Sequence, residues 1–242
     1  MFSTFKRILM AGGATCALVA TLATSAMAGP SYSFTVRTAN QGGAQFDAAN
    51  PATGFNAAGA ITATFNYNGP LSFNVGPPQN NNNAGDLNSA FFGANAGAIS
   101  SYSGAGSLPL PSGANFSTLA SFLGSSGSAA NYQYGSLYTI GLGVLSAGTR
   151  LTITHDDGVS VYQGGVRIGS TTAGPTSAIT ESVVLSNTGA TTLYFGRQNG
   201  APSVLTVAVP EPASIALFGA GLLGLAALRG RRSGKQAGNA AA

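Results

Sequence analysis

The residues best suited to chemistry form one short run, His155-Asp156-Asp157-Gly158, in a chain that contains few such residues. Two adjacent carboxylates supply the hard oxygen ligands that Ca²⁺ prefers, and backbone carbonyls and loop asparagines could bring the set toward the roughly six to eight oxygens it binds. The same spacing is typical of a tight hairpin in which the aspartates cap the turn and Gly158 adopts a positive φ. On a regular strand neighbouring side chains point to opposite faces, so a shared ion requires a kinked backbone.

His155 is the only histidine, and the adjacent Asp156 invites comparison with a catalytic triad. A triad also needs an activated serine, and residues 158–162 lack the second glycine of the G-x-S-x-G pattern. Glycoside hydrolysis needs two carboxylates about 5–9 Å apart. Nothing in the sequence brings the remaining candidates together: Asp47, Asp86 and Glu181. We therefore expect a hydrogen-bonded structural histidine and no enzyme, with a secreted hydrolase as the weakest alternative.

Two further sets of residues have the chemistry to contact a sugar. Tyrosines stack on sugar rings but pack equally well inside a sandwich, and the candidates are Tyr132, Tyr134 and Tyr162. Residues 197–200, Arg-Gln-Asn-Gly, follow an apolar run and could present planar hydrogen-bond donors. A solvated hairpin tip is the simpler interpretation of that run.

Residues 150–168 resemble the central motif of protective-antigen-type (PA14-like) β-sandwich modules. The matching features are an Asp156-Asp157-Gly158 run between two strand patterns and a Gly164-Gly165 pair that turns the next strands. The resemblance implies a β-sandwich of the kind found in adhesins and glycosidases. It also implies glycan binding, in some cases through calcium held by neighbouring aspartates.

Composition excludes several classes of function. Only 7% of the residues are charged, against about 25% in an average globular protein. The net charge of +4 comes from the two ends, because residues 29–209 contain four arginines, no lysine and five acidic residues, a net charge of −1. Nucleic-acid binding needs clustered basic residues on one face, so we expect no nucleic-acid partner. The 44% of hydrophobic residues argues against a disordered chain.

Residues 1–28 have the organisation of a secretory signal peptide, with a basic start and an apolar stretch. Ala26 and Ala28 form the small-x-small pattern that a signal peptidase accepts, so we expect cleavage after Ala28. An uncleaved N-terminal membrane anchor is the alternative. The only cysteine, Cys16, would leave with the signal, and the mature chain would have no disulfide.

The C-terminal region contains an uncharged run at residues 213–228. As a helix this run would be about 24 Å long, short of the ~30 Å hydrocarbon core but close enough if the arginines snorkel. The basic end at residues 229–232 should remain cytoplasmic, which places the rest of the protein outside. The candidate sorting residues on the two sides of the run are Pro210, Glu211, Pro212, Arg229, Arg231 and Arg232.

This order of parts resembles the PEP-CTERM sorting signal of Gram-negative bacteria across residues 210–232. The resemblance implies that an exosortase-like peptidase cuts near the Pro-Glu-Pro while the transmembrane helix holds the protein in the inner membrane. It also implies an association with exopolysaccharide and biofilm. The same tail is sometimes labelled an ice-binding C-terminal domain, which describes the tail and not an activity. Residues 233–242 extend past the usual arginine end, and a plain C-terminal anchor is the alternative.

The elements that must position these residues are strands. Apolar and polar residues alternate with a period of two in many short runs, including 32–36, 61–67, 71–75, 151–155, 159–161, 183–185, 193–195 and 204–207. A short helical pattern occurs at residues 116–123. We predict an all-β fold: a single β-sandwich or jelly-roll domain at residues 29–209, flanked by an N-terminal signal helix and one C-terminal transmembrane helix.

Turn residues divide the predicted strands. Asn68-Gly69 predicts a hairpin between the runs at 61–67 and 71–75. Residues 77–88, with four consecutive asparagines, and residues 93–113, rich in Gly, Ser and Ala, are predicted to be loops.

The sequence as a whole predicts an exported, non-enzymatic surface or matrix protein. Its expected partners are signal peptidase, an exosortase-like peptidase, the inner membrane before processing, and exopolysaccharide. The first alternative is a calcium-assisted glycan-binding, adhesin-like module that uses Asp156 and Asp157. In the main interpretation no cofactor is required.

Overall fold

The structure is a computed structural model that describes residues 30–40, 48, 61–75, 89–106, 115–124, 134–197, 203–209 and 221. The predicted signal peptide at 1–28, with Ala26 and Ala28, lies outside these residues. So does the predicted sorting segment at 210–232 apart from residue 221, and so does the extension at 233–242. Within the described ranges, no helix has the length and apolar character needed to span a bilayer.

Eleven described strands form two antiparallel sheets, and the period-two runs predicted eight of them at least in part. The strands are β1 (Tyr32–Asn40), β2 (Ile61–Tyr67), β3 (Ser72–Val75), β4 (Ile99–Gly104), β5 (Tyr134–Leu145), β6 (Arg150–Asp156), β7 (Val159–Gln163), β8 (Val166–Ile168), β9 (Ile179–Val184), β10 (Gly189–Arg197) and β11 (Ser203–Ala208). The larger sheet has the order β4-β2-β1-β5-β10-β7-β8, and the smaller has the order β3-β11-β6-β9. The predicted all-β sandwich is confirmed.

A core rich in aromatic rings fills the space between the sheets. Phe34 of β1 and Phe73 of β3, which come from different sheets, meet edge to face with ring centroids 6.3 Å apart. Phe92, fully buried, lies 5.8 Å from the first of these rings and 5.2 Å from the second. Burial of such rings provides the main driving force for folding in a chain with so few charges.

The predicted hairpin at Asn68-Gly69 is wrong. The strands on either side of it, β2 and β3, belong to different sheets, and β3 pairs instead with β11. The chain therefore passes from one sheet to the other, and the Tyr67 hydroxyl donates a hydrogen bond to the Pro70 carbonyl at 3.0 Å across this connection. Alternation showed which residues of these strands face the core. Two strands paired in one sheet and two strands in facing sheets give the same alternation, so the pattern does not distinguish a hairpin from a connection between the sheets.

Part of the predicted loop at 93–113 is regular structure. A 3-10 helix (Gly93–Ala98) leads into β4, an edge strand that pairs with β2. The strand was missed because its side chains are small and largely exposed, so its sequence, ISSYSG, lacks apolar alternation. Helix α1 (Ser89–Phe92), which supplies two core phenylalanines, was also missed.

The short helical pattern at 116–123 is confirmed as helix α2 (Leu119–Leu123). Its N-terminus has a capping box in which Thr118 Oγ1 accepts a hydrogen bond from the Ser121 backbone N–H at 3.1 Å. Ser121 Oγ accepts one from the Thr118 N–H at 3.1 Å in return. Phe122 of this helix is fully buried in the core.

The two ends of the sandwich differ in their connections. At one end, connections of at most four residues join β2 to β3, β5 to β6, β7 to β8 and β9 to β10. At the other end β1 leads to β2, β6 to β7, β8 to β9 and β10 to β11. We call the first the short-turn end and the second the crossover end, because β6 crosses there to β7 in the other sheet.

The hairpin predicted at Gly164-Gly165 is confirmed. It joins β7 to β8 with Gln163 opposite Val166, and both glycines have positive φ angles, 57° and 82°. These are the angles that a two-residue hairpin of the I′ type requires, which explains the choice of glycine.

Candidate functional site

The Asp156-Asp157-Gly158 run forms the crossover between the sheets and not a tight hairpin. β6 ends at Asp156 and β7 begins at Val159, and these two strands lie in different sheets. The chain must therefore leave the plane of the first sheet within two residues. The peptide bond between the two aspartates is cis.

Gly158 is required for close packing and not for a positive φ. It is absent from the residues with positive φ, so that part of the turn prediction is wrong. A Cβ atom at this position would overlap the carbonyl oxygen of Ala173. The connection from β8 to β9 lies against the crossover there: the Val159 N–H donates to the Thr172 carbonyl at 2.8 Å, and Thr171 Oγ1 donates to the Val159 carbonyl at 2.9 Å.

His155 is a hydrogen-bonded structural residue, as predicted. Its ring is fully buried; Nδ1 lies 2.6 Å from the Asp157 backbone carbonyl, and Nε2 lies 2.8 Å from Glu181 Oε2. A carbonyl only accepts hydrogen bonds, so Nδ1 carries a hydrogen and donates it. Both ring nitrogens thus have hydrogen-bond partners within the fold.

Glu181 completes a network that sequence reasoning did not find. Its carboxylate accepts hydrogen bonds from the Thr172 N–H at 2.8 Å and from Thr172 Oγ1 at 3.0 Å, in addition to its contact with His155. Burial alone would raise the pKa of Glu181, but the hydrogen bonds from Thr172 and His155 outweigh it, and the pKa lies below its ordinary value. The sequence contains His155 and Glu181 in strand-forming segments, but it gives no indication that β6 and β9 pair and bring the two side chains together.

Asp156 and Asp157 are buried, with 7% and 5% of their surface exposed. Burial raises the pKa of Asp156, and the nearby His155 and a hydrogen bond from the Ala178 N–H partly oppose that rise. A nearby cation would favour the ionised form of this carboxyl. Within the described ranges, no group of three or more His, Cys, Asp or Glu side chains forms a metal-binding cluster. The aspartates alone therefore provide only part of the oxygen set that Ca²⁺ prefers.

Arg197 also lies at the crossover end, but it is not part of a solvated hairpin tip. It is 3% exposed, and its guanidinium carbon lies 5.7 Å from the centroid of the Phe91 ring. Its neighbour Gly196 donates a backbone hydrogen bond to the Gly158 carbonyl at 2.9 Å, which places the end of β10 beside the crossover. Residues 198–200, the rest of the predicted donor set, lie outside the described residues.

The tyrosines are not gathered at the aspartate pair. Tyr162, half-buried on β7, packs edge to face against Tyr194 of β10 with ring centroids 5.2 Å apart. Tyr134 is the first residue of β5, and Tyr132 lies outside the described residues. Two other candidate carboxylates, Asp47 and Asp86, also lie outside them.

Comparison with known proteins identifies the tail. The PEP-CTERM protein-sorting motif matches residues 208–232, which confirms the sorting segment predicted at 210–232. The motif indicates an exported protein that is held transiently at the membrane and processed by an exosortase-type peptidase. No curated protein matches the sequence.

Two solved structures are similar to this chain. One is the PA14 domain of the antifreeze protein MpAFP, at 16% identity and a TM-score of 0.43, covering 77% of this chain and 84% of that one. The other is a PA14 sugar-binding domain from an RTX adhesin, at 17% identity and a TM-score of 0.44, covering 74% of this chain and 88% of that one.

Proposed function

We propose that this chain is a non-enzymatic surface or matrix component that an exosortase-like peptidase releases or re-attaches and that associates with exopolysaccharide. The observation that carries the proposal is the position of the sorting motif. It matches residues 208–232, and β11, the last described strand, ends at Ala208. The folded sandwich is thus followed directly by the sorting signal.

The two ends of the chain support this route. The signal peptide at residues 1–28 directs export and is removed by signal peptidase. The uncharged run at 213–228 holds the protein in the inner membrane, and the arginines at 229–232 keep the tail in the cytoplasm. Cleavage near Pro210-Glu211-Pro212 then separates the sandwich from the anchor.

The buried polar groups support a non-enzymatic role. Both ring nitrogens of His155 bond within the fold, one to a backbone carbonyl and one to Glu181. Glu181 in turn is held by Thr172. Groups held in this way stabilise the crossover, which supports a structural role for them.

The sorting signal is tested by substitution in the natural host. With Pro210→Ala, Glu211→Ala and Pro212→Ala combined, we expect the protein to accumulate in the inner membrane fraction, while the unsubstituted protein reaches the cell surface or the medium. Deletion of residues 233–242 is the control, because it lies beyond the motif and should leave sorting unchanged. If the triple variant and the unsubstituted protein were distributed equally between the inner membrane and the cell surface or medium, the Pro-Glu-Pro residues would not be needed for sorting.

A second candidate function is calcium-assisted glycan binding at the crossover end. The specific observation in its favour is the pair of buried, adjacent carboxylates, Asp156 and Asp157, where the backbone leaves the sheet. A divalent cation would offset the cost of burying their charge and offer coordination positions to sugar hydroxyls. Backbone carbonyl and amide oxygens would have to supply the other ligands.

Calcium binding is tested by thermal unfolding and by retention on the exopolysaccharide of the host. We expect Ca²⁺, but not Mg²⁺ at equal ionic strength, to raise the Tm of the protein, because binding to the folded state stabilises it. Combined Asp156→Asn and Asp157→Asn should abolish that shift and the calcium-dependent retention while the circular dichroism spectrum stays unchanged. Retention that is independent of calcium and of both aspartates would favour the first proposal, a surface or matrix component without a calcium site.

A further inference from the structure

The short-turn end of the sandwich carries a continuous rim of hydrogen-bonded turns. The Gly148 N–H donates to the Leu185 carbonyl at 2.8 Å, and the Ala147 N–H donates to Thr188 Oγ1 at 3.0 Å. The Gly164 N–H donates to the Ala190 carbonyl at 3.2 Å. These bonds join the β5–β6, β9–β10 and β7–β8 connections into one surface, which we call the turn rim: residues 144–150, 164–166 and 184–190.

The turn rim carries three exposed valines among its polar and small turn residues. The described part of the chain has four large hydrophobic side chains that are exposed, and three lie on the rim: Val144 (73% exposed), Val166 (68%) and Val184 (49%). A single exposed valine is ordinary, whereas three at one end of the sandwich provide apolar side chains for contact with another surface. The fourth, Ile61, lies at the crossover end.

One exposed cation lies on the turn rim. Arg150 is exposed at the rim, where it pairs in register with Val184. The acidic side chains among the described residues lie away from the rim: Asp156 and Asp157 at the crossover, and Glu181 bonded to His155 beside it. The rim therefore combines three exposed valines and one arginine with no acidic side chain, a set that suits a surface of anionic lipid headgroups.

The chain leaves the sandwich at this rim. In the pairing of β11 with β6, Val204 lies opposite Asp156 and Ala208 lies opposite Thr152. The last residue of β11 is therefore two positions from Arg150, the first residue of β6. The sorting motif begins at the same point, residue 208. The segment that holds the protein at the membrane thus leaves the sandwich at the same end as Val144, Val166 and Val184.

We propose that the turn rim lies on the lipid surface while the tail anchors the protein, so that the crossover end, with Asp156 and Asp157, points away from the bilayer. This inference rests on the proposed function, because it needs the tail to hold the protein at a membrane. The three valines insert at the headgroup boundary and Arg150 contacts anionic headgroups. Docking in this way orients the protein before the peptidase acts.

The absence of tryptophan from the chain makes a direct test available. The full chain is reconstituted through its own tail into vesicles of phosphatidylethanolamine and phosphatidylglycerol. Single reporters are introduced as Val144→Trp, Val166→Trp or Val184→Trp. The matched control is Ser177→Trp, an exposed position on the connection at the crossover end. Each emission spectrum is recorded with and without lipids brominated near the headgroup end of the acyl chains.

We expect the three rim reporters to shift to shorter wavelength in vesicles and to lose intensity with brominated lipid, while the control reporter does neither. If the chain co-floats with the vesicles but the rim reporters are not quenched, the proposal that the rim lies on the lipid surface is wrong, while the proposal that the tail anchors the chain is retained. If the chain does not co-float, the anchor fails, and the docking proposal fails with it. A shift that grows with protein density and ignores bromination would assign the rim to a second copy of the chain and overturn the lipid proposal.

Discussion

Asp156 and Glu181 both interact with His155, yet the fold changes their acidities in opposite directions. Burial raises the pKa of Asp156, because its few contacts do not replace the lost hydration. Glu181 is the reverse: hydrogen bonds from Thr172 and His155 more than replace that hydration, and its pKa falls. The two carboxyl groups therefore contribute to stability with opposite dependence on pH.

The lowered pKa of Glu181 gives a prediction with a definite sign. A carboxyl whose pKa is lower in the folded state stabilises the fold above its unfolded pKa of about 4.3 and loses that contribution as the pH falls through the folded value. Glu181→Gln should therefore lower the free energy of unfolding by about 1–2 kcal/mol near neutral pH. The difference from the unsubstituted protein should shrink below about pH 4. Urea unfolding at a series of pH values measures it.

Asp156→Asn is the control for that series, because the raised pKa of Asp156 works in the opposite sense. A carboxyl whose pKa is higher in the folded state lowers stability above that pKa, and the penalty disappears on acidification. Relative to the unsubstituted protein, this variant should gain stability as the pH rises. The account of the network would be contradicted if the two variants showed the same pH trend.

At the scale of elements, the crossover depends on close contact between the 169–178 connection and the backbone at Gly158. Gly158→Ala would push its Cβ into the Ala173 carbonyl, so we expect a loss of about 1–3 kcal/mol. Gly174→Ala is the matched control, since a Cβ there meets nothing within 4 Å and should change stability by less than about 0.5 kcal/mol. Thermal or urea unfolding gives both values, and equal stability of the two variants would show that the contact is not tight.

Sequence patterns predicted most of the strands and the residues of those strands that face the core, because alternation depends only on the pleat of each strand. They also predicted the Gly164-Gly165 hairpin, since its two positive φ angles leave a recognisable signature. They did not predict which sheet each strand joins. Asn68-Gly69 and Asp156-Asp157-Gly158 both resemble hairpin turns, but each connects strands of different sheets.

The candidate site was predicted only in part, because some of its features are local in the sequence and others depend on which strands pair. The aspartate pair and the structural role of His155 are local features that the sequence contains. The partnership of His155 with Glu181 requires β6 to pair with β9, with Ile153 opposite Glu181, which is long-range information. Helix α1 and strand β4 were missed because short or exposed elements carry little apolar periodicity. Strand β5 was also missed.

At the scale of the whole molecule, the two ends of the sandwich differ in the residues they carry. The short-turn end holds the chain exit and the exposed valines, and the crossover end holds the buried aspartates. The charges of the tail and of the signal dominate the net charge of +4, while the residues between them carry −1. Removal of both ends would therefore leave a nearly neutral domain that is hydrated by uncharged polar groups.

The most direct test of the account is the intact mass of the mature protein from its own host, in cells with and without the exosortase-like peptidase. The account predicts a chain that begins at Gly29 and ends near Val209, and that this species disappears when the peptidase is absent. A mass that retains the arginines at 229–232 in both strains would contradict it. The protein would then be a permanently anchored domain, and its assignment to the cell surface or matrix would fail.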